Sequence, residues 1–205
     1  MLDFDDYLNR LASSAPTPGG GSAAALCGAM GASLVAMVAR ITRENAKQRE
    51  RHGLADACFA EADALRARFL EARTLDENAY GAVVTAMALP RSTDDEKTAR
   101  TARLQDALAQ AAAAPLAAVH VGIQLLALSE RALDLENANL ASDLGCAADF
   151  AIAAIDASAL NVRVNHKYLK NAELVAQHAR VLDDLERDVP AIAARVRDRV
   201  NAAIR

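Results

Sequence analysis

The sequence predicts an all-α protein, an up-and-down helical bundle of long, partly kinked helices. Three observations carry that prediction. Apolar residues recur at three- and four-residue steps along almost the whole chain, which is the period of a helix face. No cluster of residues bounded by turn signals reads as a strand. The composition is 53% hydrophobic but only 3% aromatic, with no Trp, so the core must be built from Ala, Leu, Val and Ile. Ala is the best helix former and lets helices approach closely. At 205 residues one domain over 1–205 is expected, long enough to bury a continuous core.

The elements follow in order. A first helix is expected from Asp3 to Ser13. The loop Ala15-Pro16-Thr17-Pro18-Gly19-Gly20-Gly21 separates it from a second, apolar helix. That helix starts near Ser22, a good N-cap residue, and reaches Arg43. Its Ser22–Ala39 stretch has 18 residues without a charge, the lower edge of a membrane span. Most of them are Ala, Gly, Ser or Met, so a buried core helix is expected instead. A third helix spans Leu54 to Leu89 and stops before Pro90. Thr93 and Glu96 have capping-box spacing, with Asp94 and Asp95 favourable in the first turn. The fourth helix should run to Glu136 with a kink at Pro115, where a backbone donor is lost. A loop at Asn137–Leu140 precedes Ser142, another N-cap candidate, and a fifth helix to Asn165. A last helix starts near Asn171, with Pro190 interrupting it and Asp183 paired to Arg187 at i,i+4. The small-residue face of the second helix (Ala25, Gly28, Ala32, Ala36) needs a close partner, which predicts a homodimer or larger assembly.

Charge and cysteine usage narrow the function classes. The net charge is −4, from 23 basic and 27 acidic residues, with no basic nucleic-acid footprint and no polybasic membrane patch. Neither nucleic acid nor a membrane is therefore expected as a partner. Cys27, Cys58 and Cys146 lie far apart in apolar contexts, which reads as buried thiols in a reducing compartment. The acidic start at Asp3, Asp5 and Asp6 lacks the basic stretch of a secretory signal, so a cytoplasmic location is expected. His52, His120, His166 and His178 show no ligand spacing, His120 reads as a core histidine, and no metal site is expected.

Three places carry candidate chemistry. In Thr17-Pro18-Gly19-Gly20-Gly21-Ser22, three glycines before a helix can take positive φ and expose successive N–H groups at its positive end. That arrangement makes an anion or polar-ligand cradle, or else a tight turn between packed helices. Ser22 is followed by three alanines, so the Lys of a P-loop is missing. Asp76 shares a helical face with Tyr80, Val83, Val84 and Met87, and that face is apolar. A carboxylate there is an acid/base candidate with raised pKa, or a rim residue paired with Arg73. On the fifth helix Asp143, Asn161 and Asn165 fall near one face. Asp143 and Asn161 are about 27 Å apart at ~1.5 Å per residue, so they cannot share one small site within one chain. Capping and helix-end hydrogen bonding are the plain readings of these three.

The segment from Leu11 to Ser22, followed by an Ala/Gly-rich helix, resembles the opening of the formimidoyltetrahydrofolate cyclodeaminase/methenyltetrahydrofolate cyclohydrolase family. Asp76-Glu77-Asn78-Ala79-Tyr80 with Met87–Thr93, Glu96-Lys97, and Ser142-Asp143-Leu144-Gly145 with Asn161–Asn165 agree with it in order and spacing. The resemblance covers about Phe4 to Leu169. One stretch departs from it: where the family tends to carry a Gly-Lys-rich segment ending in Tyr, this chain has Thr42-Arg43-Glu44-Asn45-Ala46-Lys47-Gln48-Arg49. Any contact of that segment to the glutamate tail of folate is affected.

The resemblance implies an all-α homodimer that binds a tetrahydrofolate derivative between helices. Asp76 would be the acid/base residue, with Asp143 as the second catalytic candidate. Pro18, Gly19, Gly20, Gly21, Ser22, Tyr80, Asn161 and Asn165 would bind substrate. No cofactor is implied beyond tetrahydrofolate as the carrier of the reacting carbon. The activity expected is hydrolysis of 5,10-methenyltetrahydrofolate to 10-formyltetrahydrofolate. The alternatives are cyclodeamination of 5-formiminotetrahydrofolate and a non-catalytic folate-binding or interaction module.

Overall fold

A computed structural model describes residues 3–205 apart from the side chain of Glu186; Met1 and Leu2 of the expected domain lie outside the described residues. Six α-helices follow one another among the described residues: α1 Phe4–Leu11, α2 Gly20–Glu44, α3 His52–Met87, α4 Asp94–Ala132, α5 Ala141–His166 and α6 Ala172–Ala203. No strand occurs among the described residues. Short 3₁₀ turns at Ala46–Arg51, Leu133–Leu135 and Ala138–Leu140 fill two of the connections. α2 packs on α3 and α5, and α4 packs on the same two, which closes a four-helix ring; α6 lies against α5 and α4. α2, with 25 residues, is about 37 Å long at 1.5 Å per residue. A turn of a few residues cannot span that distance back to the start, so consecutive helices run antiparallel.

The core follows from the composition. Ala32, Ala36, Ala39, Ala62, Ala112, Ala151 and Ala154 are almost fully buried, and Phe69 is the largest fully buried side chain. A Cβ on Gly28 would sit 2.7 Å from Phe69 Cε2. The small-residue face of α2 is therefore filled by α3 of the same chain, and the expectation that this face needs a second copy is corrected. The apolar window of α2 is long enough to cross a membrane, as are stretches of Asp94–Leu135 and Ala138–His166, but 61% of the α2 window is buried against its neighbours.

The capping box forms as expected. Glu96 N–H donates to Thr93 Oγ1 at 3.2 Å and Thr93 N–H donates to Glu96 Oε2 at 3.0 Å. The two serine caps do not form. α2 starts two residues earlier, with Gly19 as an N-cap that has no side-chain bond, because the Ser22 hydroxyl turns inward to other partners. α5 is fed directly by the 3₁₀ turn Ala138–Leu140 and is not capped by Ser142.

Neither proline ends its helix. α4 runs through Pro115 and α6 through Pro190. Pro115 has no N–H, so the Ala111 carbonyl loses its helical partner. Asn165 Nδ2 donates to that carbonyl at 2.8 Å. Other expectations are also corrected. His120 is exposed, between buried Val119 and Val121. Arg187 pairs with Asp184 and Asp188, not Asp183. Of the thiols only Cys58 is buried; Cys27 is half-buried and Cys146 exposed.

Candidate active site

The loop after α1 and the first turn of α2 form one wall of a cleft. That loop contains a cis peptide bond at Thr17-Pro18. None of the described glycines has positive φ, which corrects the reason given for the glycine run. Gly19 is extended, at φ −127° and ψ −163°. Of the three, Gly21 is needed for space instead. A Cβ on Gly21 would sit 2.5 Å from Asp76 Cγ, so only a residue without a side chain lets the Asp76 carboxyl reach the helix end. A Cβ on Gly20 would meet Asn161 Nδ2 at 3.4 Å, an ordinary contact.

A helix leaves its first N–H groups without intrahelical partners. In α2 the ladder begins with Ala23 N–H donating to the Gly19 carbonyl at 3.0 Å, so Gly20, Gly21 and Ser22 carry the free donors. The Ser22 N–H acts on Asp76 and pulls its pKa down. Burial acts more strongly in the other direction, the Glu77 charge adds to it, and the Asp76 carboxyl is held above the usual carboxylate range. Arg73, the alternative partner, does not reach Asp76 in an ion pair. It binds Glu77 instead, Nη1 to Oε1 at 3.3 Å.

Behind this wall lies a buried hydrogen-bond chain. Ser22 Oγ donates to Glu77 Oε1 at 2.8 Å, and Tyr7 Oη lies 3.0 Å from Ser22 Oγ. A serine hydroxyl has one proton. Since Ser22 gives it to Glu77, Tyr7 must donate to Ser22. Tyr7 and Ser22 are both fully or almost fully buried.

The cleft holds about 530 Å³ and opens between the α2 start, α3, α4 and α5. Its lining includes Thr17, Gly19, Gly20, Gly21, Asp76, Tyr80, Met87, Leu104, Leu108, Asn161, Asn165 and Tyr168. A space of this size suits a drug-sized or cofactor-sized molecule. Asn161 Nδ2 donates to the Ala157 carbonyl at 2.8 Å. Asn165 Nδ2 spends both protons on the backbone, to Ala111 and, at 2.9 Å, to Asn161. Its Oδ1 is the atom left to accept from a ligand. Tyr168 is held in the turn after α5 by Gln105 of α4, whose Nε2 donates to the Tyr168 carbonyl at 3.0 Å and whose Oε1 accepts from Lys170 N–H at 2.7 Å. Among the described residues, no group of three His, Cys, Asp or Glu side chains is placed to hold a metal ion.

Seven of the ten residues singled out from sequence line this one cleft: Gly19, Gly20, Gly21, Asp76, Tyr80, Asn161 and Asn165. The other three do not. Pro18 is buried in the loop, and Ser22 stands behind the wall. Asp143 sits in the first turn of α5, outside the cleft lining. Sequence reasoning assigned no role to Tyr7, Glu77 or Tyr168. Scarcity was the available signal for two of them: the chain has only three tyrosines, and all three line or back this cleft.

Fold and cleft together define a helical-bundle protein with a desolvated carboxyl set against a glycine-lined helix start. The family model for formiminotransferase-cyclodeaminase matches residues 3–184. A methenyltetrahydrofolate cyclohydrolase of Methylorubrum extorquens is 37% identical over 201 residues, covering 98% of this chain and 97% of that protein. A formimidoyltransferase-cyclodeaminase of Sus scrofa is 32% identical over 197 residues, but the chain spans only 36% of its length. Among solved structures, the formiminotetrahydrofolate cyclodeaminase of Thermotoga maritima superimposes with a TM-score of 0.87 at 25% identity, over 100% of this chain and 98% of that one. The chain belongs to the formiminotransferase-cyclodeaminase family.

Proposed function

We propose that this protein hydrolyses 5,10-methenyltetrahydrofolate to 10-formyltetrahydrofolate in the cleft, with Asp76 as the acid/base residue. The observation that carries the proposal is the Asp76 carboxyl, desolvated against Gly21 in a cleft large enough for the folate head. The 37% identical relative named as a methenyltetrahydrofolate cyclohydrolase, matched end to end, supports the same reaction.

The substrate carbon is a cationic amidinium carbon, already electrophilic, so tetrahydrofolate serves only as its carrier. The ionised Asp76 carboxylate stabilises that cation and takes a proton from the attacking water as the C–O bond forms. The hydroxy adduct then collapses. The C–N5 bond breaks, Asp76 returns its proton to N5, and the hydroxyl proton leaves to solvent. One proton is released per turnover. The free N–H groups of Gly20 and Gly21 can donate to the oxygen as it becomes the formyl oxygen. Asn165 Oδ1 is an acceptor for the pterin N–H donors, and Tyr80 and Tyr168 offer ring faces to the flat bicycle.

Cyclodeamination is the second reading, favoured by the whole-chain likeness to the solved cyclodeaminase. There N10 attacks the formimino carbon, and Asp76 as a carboxylic acid protonates the departing ammonia. An absorbance assay on 5,10-methenyltetrahydrofolate beside one on 5-formiminotetrahydrofolate separates the two. Loss of methenyl absorbance in the first is the expected result. Methenyl formation with ammonia release, without hydrolysis, selects the second reading. No turnover of either removes both.

The homodimer and a cytoplasmic location belong to the same proposal. Met30, Met37 and Ile41 lie at helical spacing along α2 and stay exposed, which supports a second copy against that face. Three free cysteines support a reducing compartment.

A further inference from the structure

We propose that Glu77 is a positioning residue of this cleft, fixing the first turn of α2 against Asp76 through the Ser22 hydroxyl. The proposal rests on the Asp76 reading above and goes beyond it. Glu77 is not among the residues that line the cleft. Its Oε1 collects two donors, Ser22 Oγ at 2.8 Å and Arg73 Nη1 at 3.3 Å. Ser22 is in turn the acceptor for Tyr7. The donors run one way, from Tyr7 to Ser22 to Glu77, with Arg73 closing the end. The chain ends on Glu77 Oε1, where the Ser22 hydroxyl and the Arg73 guanidinium converge, and a bond from a guanidinium to a carboxyl oxygen is among the stronger kinds.

Two consequences follow from this arrangement. The first is geometric. Ser22 is the third residue of α2, one turn from Gly19, so anchoring its hydroxyl to α3 sets where the Gly20 and Gly21 N–H groups point. The same residue presents its N–H to Asp76. One side chain of α3 therefore fixes the helix end that the neighbouring side chain of α3 uses. The second is electrostatic. Glu77 places a fixed negative charge next to Asp76, and a like charge disfavours ionisation. The other titratable groups that line or back the cleft are Tyr7 on α1, Arg73 and Tyr80 on α3, and Tyr168 after α5. The first turn of α2 has no acidic residue, and α4 contributes only apolar side chains to the lining. Asn161 and Asn165 of α5 are neutral. Glu77 is thus the one negative side chain beside Asp76 among these groups.

The test uses Glu77→Gln and Glu77→Ala in the full chain. Gln keeps the shape and an acceptor for Ser22 but removes the charge. Carbon-13 NMR of carboxyl-labelled Asp, with the Asp76 signal assigned by its loss in Asp76→Asn, reads the titration without substrate. In Glu77→Gln the Asp76 titration should move to lower pH while the melting temperature stays near wild type. With methenyltetrahydrofolate, the acid limb of the kcat profile should move the same way and the plateau should fall, since a weaker base is a poorer catalyst; KM should hold. In Glu77→Ala the Ser22 amide signal should also shift, and Gln should restore it. An unmoved Ser22 amide signal in folded Glu77→Ala overturns the positioning role, an unmoved Asp76 titration in Glu77→Gln overturns the electrostatic one, and a kcat loss that only tracks a loss of fold overturns both. If Glu77→Ala does not fold, Glu77→Gln carries the test alone. If wild type turns over neither folate, the proposed reaction fails, yet the NMR titration still decides the role of Glu77.

Discussion

The proposed chemistry rests on Asp76, and its environment sets two predictions. Asp76→Asn keeps the side-chain shape and removes the proton transfer, so turnover should fall by on the order of 10²–10⁴. Single-turnover kinetics on both folates checks this; near-wild-type rates would remove Asp76 from the mechanism. The stability effect has a defined sign. Burial raises the Asp76 pKa in the folded chain, so the folded state holds this proton more tightly than the unfolded one. The contribution is fully present below the ordinary Asp value of about 3.9 and is lost as pH rises through the raised one. Asp76→Asn escapes that loss, and its melting temperature should exceed wild type by a margin that grows from acid to neutral pH. Gly21 is the sharper test of the glycine wall. Gly21→Ala puts a methyl 2.5 Å from Asp76 Cγ, so the carboxyl must move, and kcat should drop with the fold retained on a melt. Gly20→Ala meets Asn161 only at ordinary contact distance and should be much milder.

At the scale of the helices, local and interhelical effects separate cleanly. The Thr93/Glu96 box at the start of α4 lies away from the cleft lining. Thr93→Ala should cost about 1 kcal/mol, measured by urea unfolding, with kcat and KM unchanged. A loss of activity at unchanged stability would contradict that separation. The α2/α3 contact behaves differently. Gly28→Ala drives a methyl to 2.7 Å from a carbon of the buried Phe69 ring, and overpacking of this kind costs about 1–3 kcal/mol. The pairing of Pro115 with Asn165 shows how an element can be completed by its neighbour. The proline leaves one α4 carbonyl without a helical donor, and a cleft residue of α5 supplies the donor. Asn165 therefore stabilises the bundle as well as lining the site.

On the scale of the whole molecule, α6 is joined to the bundle through an internal pair that the linear spacing does not reveal. His166 Nε2 and His178 Nδ1 lie 3.0 Å apart across the α5–α6 turn, and His178 is almost fully buried. Burial lowers both pKa values, and for His166 the His178 and Arg163 charges add to it. The folded chain thus resists protonation that the unfolded chain accepts near the ordinary His value of about 6.5. Stability from this pair is present above that value and is lost as pH falls through the lowered ones. Melting temperatures should decline as pH drops below about 6.5, and His166→Gln/His178→Asn should flatten the decline. An equal slope in both proteins would place the acid sensitivity elsewhere. The exposed Met30, Met37 and Ile41 face carries the dimer prediction: sedimentation should give twice the 21.6 kDa chain mass, and Met37→Glu should shift it to monomer.

By itself the sequence determined what depends on neighbours a few residues apart. The 3.6-residue period marked every α-helix, Thr93 and Glu96 marked a cap, and the periodicity of Asp76 with Tyr80 marked an apolar face. The glycine run was legible as unusual, and the family was legible from ordered blocks. Only the tertiary structure decided why those glycines are there. Gly21 makes room for Asp76, 55 residues along the chain, and no local rule announces that approach. The same holds for Ser22, which has the composition of a cap but whose hydroxyl bonds Tyr7 and Glu77 instead. It holds for Gly28, whose partner Phe69 replaced the second copy that the small-residue face had implied. Helices arise from contacts within a turn, whereas a cleft arises from contacts between turns far apart in the chain. Packing chooses among those contacts only once the whole bundle is assembled.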